Sequence, residues 1–312
     1  MTTMKAVRIH RFGGPEVLSL DDVPLPQPRD DEVVVRVLAA SINPIDYVIR
    51  AGSPFVTPDR LPVTLGVDLS GTVELLGTRA HTLRQGDPIY AMVPMGRGTY
   101  AEYVLVKAVE MAAKPDTLDH EQAAAVPLAG LTAWQGLFEH GGLQEGQRVL
   151  IHGGAGGVGH LAIQFAKAKG AAFVATTVSG SDLDFVRDLG ADQAIDYRAE
   201  RFEEMIRDMD LVFDLVSGET QDRSWPALKQ GGVLVSTLGQ PSQDKAAQYG
   251  VRGVGYMAQP NGAHLSEIGR LIDEGRVRVV VERVFPLAEA GVAQEHLQHS
   301  HVRGKVVLTV AP

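Results

Sequence analysis

Apolar and polar positions follow one rhythm in the first third of the chain and another in the middle. Up to about residue 121 the apolar positions come in short runs, KAVRI, EVVVRVLAAS, VTLGVDLSGTVELLG, GDPIYAM and GTYAEYVLV, with turn-forming residues between them and no long helix. That spacing predicts a small β-rich barrel or sandwich. From residue 122 to 262 strands and helices alternate. The apolar run at 149–152 is followed by strands at 171–177, 194–197, 211–216 and 233–239, with helices at 182–189, around 200–207 and up to 229. Apolar, β-branched strands alternating with helices predict a parallel sheet covered on both faces. A helix at 263–274, the strand VRVVVERVF, a helix at 287–298 and the strand KVVLTV complete the chain, and these last pieces are expected to rejoin the first domain.

The strand at 149–152 runs directly into Gly154-x-Gly156-x-x-Gly159 and then into the helical LAIQFAKAKG. A dinucleotide pyrophosphate needs that order. The first glycine permits the turn, the second lets backbone approach the phosphates, and the third lets the helix pack on the strand. In a chain with 34 glycines a bare GxGxxG arises by chance, but the flanking strand and helix select this one. Gly154, Ala155, Gly156, Gly157, Val158 and Gly159 are therefore read as the phosphate cradle, at a helix N-terminus that favours anions. The predicted fold is α/β: a doubly wound Rossmann sheet over 122–262, and a β-rich domain built from 1–121 and 263–312. A cleft between the two domains is the expected substrate site.

The end of the second Rossmann strand decides between NADP and NAD. An acidic residue there binds the ribose hydroxyls of NAD, whereas this chain offers Thr176-Thr177-Val178-Ser179. With Thr177 and Ser179 as hydroxyl donors, NADP is the predicted cofactor and NAD the alternative. Asp182 opposes this only if its carboxylate turns inward, and an outward position at a helix start is expected. Asp214, Leu238 and Gly239 fall at the C-terminal ends of predicted strands, on the crevice side of an open α/β sheet.

Composition narrows the class. The 312 residues are 45% hydrophobic, enough for two cores, and the formal net charge of -9 opposes nonspecific nucleic-acid binding. No stretch reaches the roughly 18 uncharged apolar residues of a membrane span. The opening MTTMKAVRIH lacks the basic head and apolar body of a signal peptide, so the cytoplasm is the expected compartment. The chain has no cysteine, which excludes disulfides, thiolate catalysis and thiolate zinc sites. His296, His299 and His301 crowd together without motif-spaced acids, and a solvated helix end is the simpler reading.

Several blocks in order, MKAVRIHRFGGPEVLSL, AASINPIDYVIRAG, GVDLSGTVELLG, GTYAEYV, AAAVPLAGLTAWQGL, HGGAGGVG and HVRGKVVLTV, resemble the zinc-independent quinone oxidoreductases of the medium-chain dehydrogenase/reductase superfamily, the zeta-crystallin type. The resemblance implies a GroES-like catalytic domain around the Rossmann domain. The zinc-dependent relatives' Gly-His-Glu block reads Gly66-Val67-Asp68 here, so no zinc is expected. Hydride delivery to an electrophilic quinone, or to the β-carbon of an α,β-unsaturated carbonyl, needs less assistance than alcohol oxidation. By the same resemblance Asn43 and Asp46 lie near the nicotinamide as candidate catalytic residues, Asn43 as a donor to a developing oxyanion. On the residues alone, Asn43-Pro44 starts a turn and Asp46 caps the helix after it.

A tyrosine that some members place two residues after the aspartate is Val48 here, with Tyr47 one position off. Thr132 matches a position beside the nicotinamide and Tyr197 one that contacts the adenosine phosphate, with Arg198 and Arg303 as candidate cations. Tyr47, Phe55 and Met95 are placed on the substrate-pocket wall. The expected partners are a small-molecule quinone or enone and a second copy of the chain in a homodimer, with no nucleic acid and no membrane. The alternative to a reductase is an NADP(H)-binding sensor or scaffold with weak or no catalysis.

Overall fold

The computed structural model describes residues 3–80 and 83–310. They form two compact units. The first takes the described residues up to Leu128, Pro260–Asp273 and the described residues from Val279 onward; the second takes Ala129–Gln259 and Glu274–Arg278.

The first unit is built on a seven-stranded sheet. Its path runs Val281–Pro286, Lys305–Thr309, Glu32–Ile42, Asp68–Leu76, Pro88–Met92 and Met111–Ala113, and Tyr103–Lys107 also pairs with Glu32–Ile42. A second sheet orders Leu18–Pro24, Thr3–Ile9 and Val63–Thr64. Glu32–Ile42 sits centrally and reads EVVVRVLAASI because nearly every position is buried, Arg36 being its one exposed residue. Val33, Val35, Val37, Leu69, Ile89, Val104, Val306 and Leu308 fill the core.

Two sequence expectations are corrected in this unit. The run VTLGVDLSGTVELLG is two strands rather than one, because Gly66 has φ +90° and a Cβ there would collide with Thr99 and Tyr100. Val63–Thr64 consequently pairs with Thr3–Ile9, and Asp68–Leu76 with Glu32–Ile42. The boundary near residue 122 moves to 128, since Ala124 and Ala125 are buried against Ala39 and Val307.

The second unit carries a six-stranded parallel sheet ordered Gln193–Asp196, Phe173–Val178, Arg148–His152, Met209–Asp214, Leu228–Ser236 and Arg252–Gly255. Val149 is paired with Val174 on one side and Leu211 on the other, so the chain reverses its direction of winding at Arg148–His152, the switch point of an open α/β sheet. The helix expected up to residue 229 stops at Ser224. Pro226 follows within a short 3-10 turn, and Leu228 already belongs to a strand.

The helix Gln243–Tyr249 and the edge strand Arg252–Gly255 escape the apolar pattern because the strand reads only RGVG. Residues 274–278 join this unit through Gln164, whose amide donates to the Arg278 carbonyl (3.0 Å) and whose Oε1 accepts from the Arg278 N–H (2.8 Å). Its core packs Trp225 with Leu150, Phe202, Val212 and Leu234. Trp225→Ala is expected to destabilise this unit by about 3–5 kcal/mol, read as a lower thermal midpoint. An unchanged midpoint would mean the indole is not a core element.

Candidate active site

The glycine turn is anchored from the neighbouring strand. The Thr177 carbonyl accepts from the N–H groups of Gly153 (3.1 Å) and Gly154 (3.2 Å), and the Thr177 hydroxyl lies 2.9 Å from His152 Nδ1. His152 is fully buried, its other ring nitrogen 2.9 Å from the Ser224 hydroxyl, and burial pushes its pKa down to about 4. It is a neutral strut rather than an acid or base at physiological pH. The helix Gly159–Ala168 starts where the turn ends.

The three motif glycines differ in what surrounds them. A Cβ on Gly154 would collide with the Thr176 side chain, and one on Gly159 with the Gly153 carbonyl. A Cβ on Gly156 would meet only the Gly153 carbonyl oxygen, at 3.6 Å. Gly154 and Gly159 are thus required by packing, whereas Gly156 borders open space at a helix N-terminus. That is the cradle a pyrophosphate fits.

At the next strand end Ser179 is buried, and its hydroxyl donates to Asp182 Oδ2 (2.7 Å) and lies 2.9 Å from the Ser181 hydroxyl. Asp182 is fully buried, against the expected outward orientation, because Ser179 holds it inward. Asp196, which sequence reasoning missed, stands beside Val178 in the strand register and beneath Gly180. Tyr197 is half exposed, and Arg198 Nε donates to its hydroxyl at 3.2 Å. Arg303 belongs to the first unit.

Asp214 is used by the fold. Its Oδ1 accepts from the Val216 (3.0 Å) and Ser217 (2.9 Å) N–H groups, and its Oδ2 from Gln221 Nε2 (2.8 Å) and the Ser236 hydroxyl (3.1 Å). A fully buried carboxylate with four donors shapes the turn. Leu238 is exposed just beyond it, and Gly239 has φ +116° with no atom near its Cβ direction. Thr132 is buried inside Pro127–Trp134, its carbonyl accepting from the Tyr256 hydroxyl.

In the first unit Asn43 and Asp46 open a buried polar network. Asn43 caps Pro44–Arg50, and its N–H donates to Asp46 Oδ2 (2.8 Å), as the residues alone suggested. Tyr100 donates to the same oxygen (2.7 Å). Asn43 Nδ2 donates to Asp68 Oδ2 (2.8 Å) and to the Ser41 carbonyl (3.5 Å), while its Oδ1 accepts from Lys305 Nζ (2.5 Å). The amide is thereby committed inside the domain, which corrects its expected role as an oxyanion donor. Asp68 also accepts from the Ser41 hydroxyl (2.6 Å) and the Leu128 N–H (2.7 Å), with Lys305 Nζ at 3.9 Å.

Burial pushes the Asp46 carboxyl up to about 7 and raises that of Asp68, while it lowers the pKa of Lys305; the Lys305 ammonium opposes both carboxyl shifts, the two carboxylates oppose that of Lys305, and Asp68 adds to the rise at Asp46. Tyr47 and Met95 are half-buried and Phe55 is exposed. Tyr100 and Lys305 were not singled out from sequence, and Asp68 only as a departure from the zinc block. The signal for Asp68 and Lys305 was a charged residue at the buried phase or start of an apolar strand, as in GVDLSG and GKVVLTV.

The residues do not fit a zinc ion. Val67 is apolar and buried, both Asp68 oxygens have protein donors, and the chain has no cysteine. His296 pairs with Glu282 (2.9 Å), and no group of three metal-ligating side chains occurs among the described residues. Nor is any helix among them long and apolar enough to cross a membrane.

The alcohol dehydrogenase GroES-like domain family matches residues 29–116, and the zinc-binding dehydrogenase family matches residues 189–308. The NADPH-dependent alkenal/one oxidoreductase, chloroplastic, of Arabidopsis thaliana is 36% identical over 320 residues, covering 99% of this chain and 80% of that one. The quinone oxidoreductase of Coxiella burnetii superimposes with a TM-score of 0.90 at 40% identity, over 99% of this chain and 100% of that one. The Escherichia coli quinone oxidoreductase complexed with NADPH gives 0.86 at 28% identity, over 98% and 100%. Fold, sequence blocks and relatives agree, and the chain belongs to the zinc-independent quinone oxidoreductase family of the medium-chain dehydrogenase/reductase superfamily.

Proposed function

We propose that the protein is an NADPH-dependent, metal-independent reductase of quinones or α,β-unsaturated carbonyls. The observation that carries this reading is the open approach at Gly156 between two packed glycines, a backbone cradle with room for a pyrophosphate at a helix N-terminus. When bound, the reduced dinucleotide supplies the hydride. Gly154 to Gly159 would hold its diphosphate, and Thr177 and Leu238-Gly239 border the same strand ends. The relatives named above support the substrate class. The preference for NADPH rests on the absence of an acid at 176–179 and is supported by the NADPH-dependent relatives; the inward Asp182 is the one feature weighed against it. A homodimer in the cytoplasm completes the proposal.

A panel of matched quinones and alkenals, followed by oxidation of NADPH and of NADH, tests it. NADPH is expected to give the higher kcat/KM. An NADH preference would mean that Asp182 or Asp196 faces the ribose, and Asp182→Lys should then shift preference toward NADPH. Exhaustive chelation is expected to leave the rate unchanged; loss restored by stoichiometric zinc would overturn the metal-free mechanism. The committed Asn43 amide favours one competing reading, a protein that binds NADP(H) without turnover. Stoichiometric NADPH binding without oxidation across the whole panel would establish that reading.

A further inference from the structure

Behind the helix Pro44–Arg50 lies a small cavity in the first unit, lined by Asp46, Ile49, Val56, Val63, Val67 and Gly96 among others. About 10 Å³ is open to the centre of a water molecule, room for one. Thr64 is the other polar side chain on its walls, the rest being apolar or glycine, and Asp46 is the one ionisable group among the lining residues. Val56 and Gly96 adjoin in sequence Phe55 and Met95, two of the three residues expected on the substrate wall.

The Asp46 carboxyl is asymmetric. Tyr100 and the Asn43 N–H both donate to Oδ2, whereas Oδ1 is buried and has no hydrogen-bond partner. The groups around it are Tyr100, Asp68 on its strand and Lys305 on the C-terminal strand; Arg50, on the same helix as Asp46, is tied to Gln294 of Ala290–His299 (2.7 Å). One ammonium faces two carboxyls. Asp68 takes three donors over both oxygens and holds the negative charge, so the proton belongs on Asp46. Since Oδ2 already accepts twice, that proton sits on Oδ1, the oxygen free to meet the cavity.

We propose that Asp46 is the proton source for the reduced substrate, acting through one water seated in this cavity. The inference rests on the reductase reading above. Hydride addition to the β-carbon of an enone forms a C–H bond and moves the C=C electron pair to give an enolate. The α-carbon takes a proton from the water, the water takes the Oδ1 proton, and Asp46 is left as a carboxylate. Tyr100, the Asn43 N–H and the charge of Lys305 stabilise that carboxylate until solvent reprotonates it.

Asp46→Asn keeps an oxygen for Tyr100 and Asn43 and removes the acid. Turnover of an α-methyl enone is expected to fall about 100-fold. Quinone turnover should fall by a smaller factor, because a hydroquinone anion is protonated by bulk water, and the ratio of the two losses is the readout. In D2O the wild type should place deuterium on one face of the α-carbon, and the variant on both. In the cofactor-free protein, carboxyl 13C resonances should show one aspartate titrating near pH 7, absent from the variant. Equal losses on enone and quinone, or unchanged stereochemistry, would overturn the proposal while leaving the reductase reading intact. Failure of the wild type on every substrate would sink the reductase reading instead. If the variant does not fold, the wild-type titration decides, and aspartates that all titrate below about pH 5 reject the idea.

Discussion

Gly156→Val is expected to weaken NADPH binding at least about 100-fold while the protein stays folded, a loss of about 2.7 kcal/mol. The position is permissive within the fold: the nearest atom to a Cβ there is the Gly153 carbonyl oxygen at 3.6 Å, ordinary van der Waals contact, and its φ is not in the left-handed range. What the valine methyls would meet is the space in front of a helix N-terminus, where the pyrophosphate must come within hydrogen-bond reach of backbone N–H groups. Gly154→Ala and Gly159→Ala are the internal controls. Their added carbons collide with Thr176 and with the Gly153 carbonyl, so both should lower the thermal midpoint of the second unit even without cofactor. NADPH fluorescence titration and circular dichroism separate the two outcomes. A folded Gly156→Val protein with unchanged affinity would remove the phosphate-cradle assignment.

This contrast also marks what could be read from the chain alone. The strand, glycine turn and helix were legible because periodicity and residue type coincide at 148–168, and the parallel sheet followed from the same alternation. The role of each glycine was not, since GxGxxG is silent on which glycine yields to protein and which to ligand. Gly66 looked like a strand residue because its neighbours are apolar, and only its positive φ against Thr99 and Tyr100 shows why the strand breaks.

Asn43 and Asp46 were found by motif, but the network that engages the Asn43 amide was not. Their partners, Asp68, Tyr100 and Lys305, stand up to 262 residues away and converge only through the sheet. Asp182 was placed outward by a local helix-start argument, and the Ser179 hydroxyl three residues earlier reverses that orientation.

The buried network yields the largest expected effect on stability. Lys305→Met should destabilise the first unit by about 3–5 kcal/mol near neutral pH, roughly 10 °C in its thermal midpoint. Methionine approximates the volume of the lysine stem, so the loss comes from charge: Asp68 and Asp46 stay buried, and the only ammonium described beside them is gone. Both carboxyls already sit above their usual range through burial, and Lys305 pulls both down, so its removal raises them further. A carboxyl whose folded pKa is raised contributes stability that is fully present below the unfolded value near 4 and is lost as pH rises through the folded value.

The deficit of the variant is therefore expected to be small at pH 4 and to grow between pH 4 and 8. Adding Asp68→Asn should recover part of it, because no unpaired charge remains at that position, although Ser41 and Leu128 donate to different carboxylate oxygens and the amide keeps only one; the residual pH dependence would belong to Asp46. Thermal midpoints of wild type, both single variants and the double variant across that range decide the matter. A deficit equal at pH 4 and pH 8, unrelieved by Asp68→Asn, would show that Lys305 holds the strands by packing of its stem and by its bond to the Ile42 carbonyl rather than as the counter-charge of two buried acids.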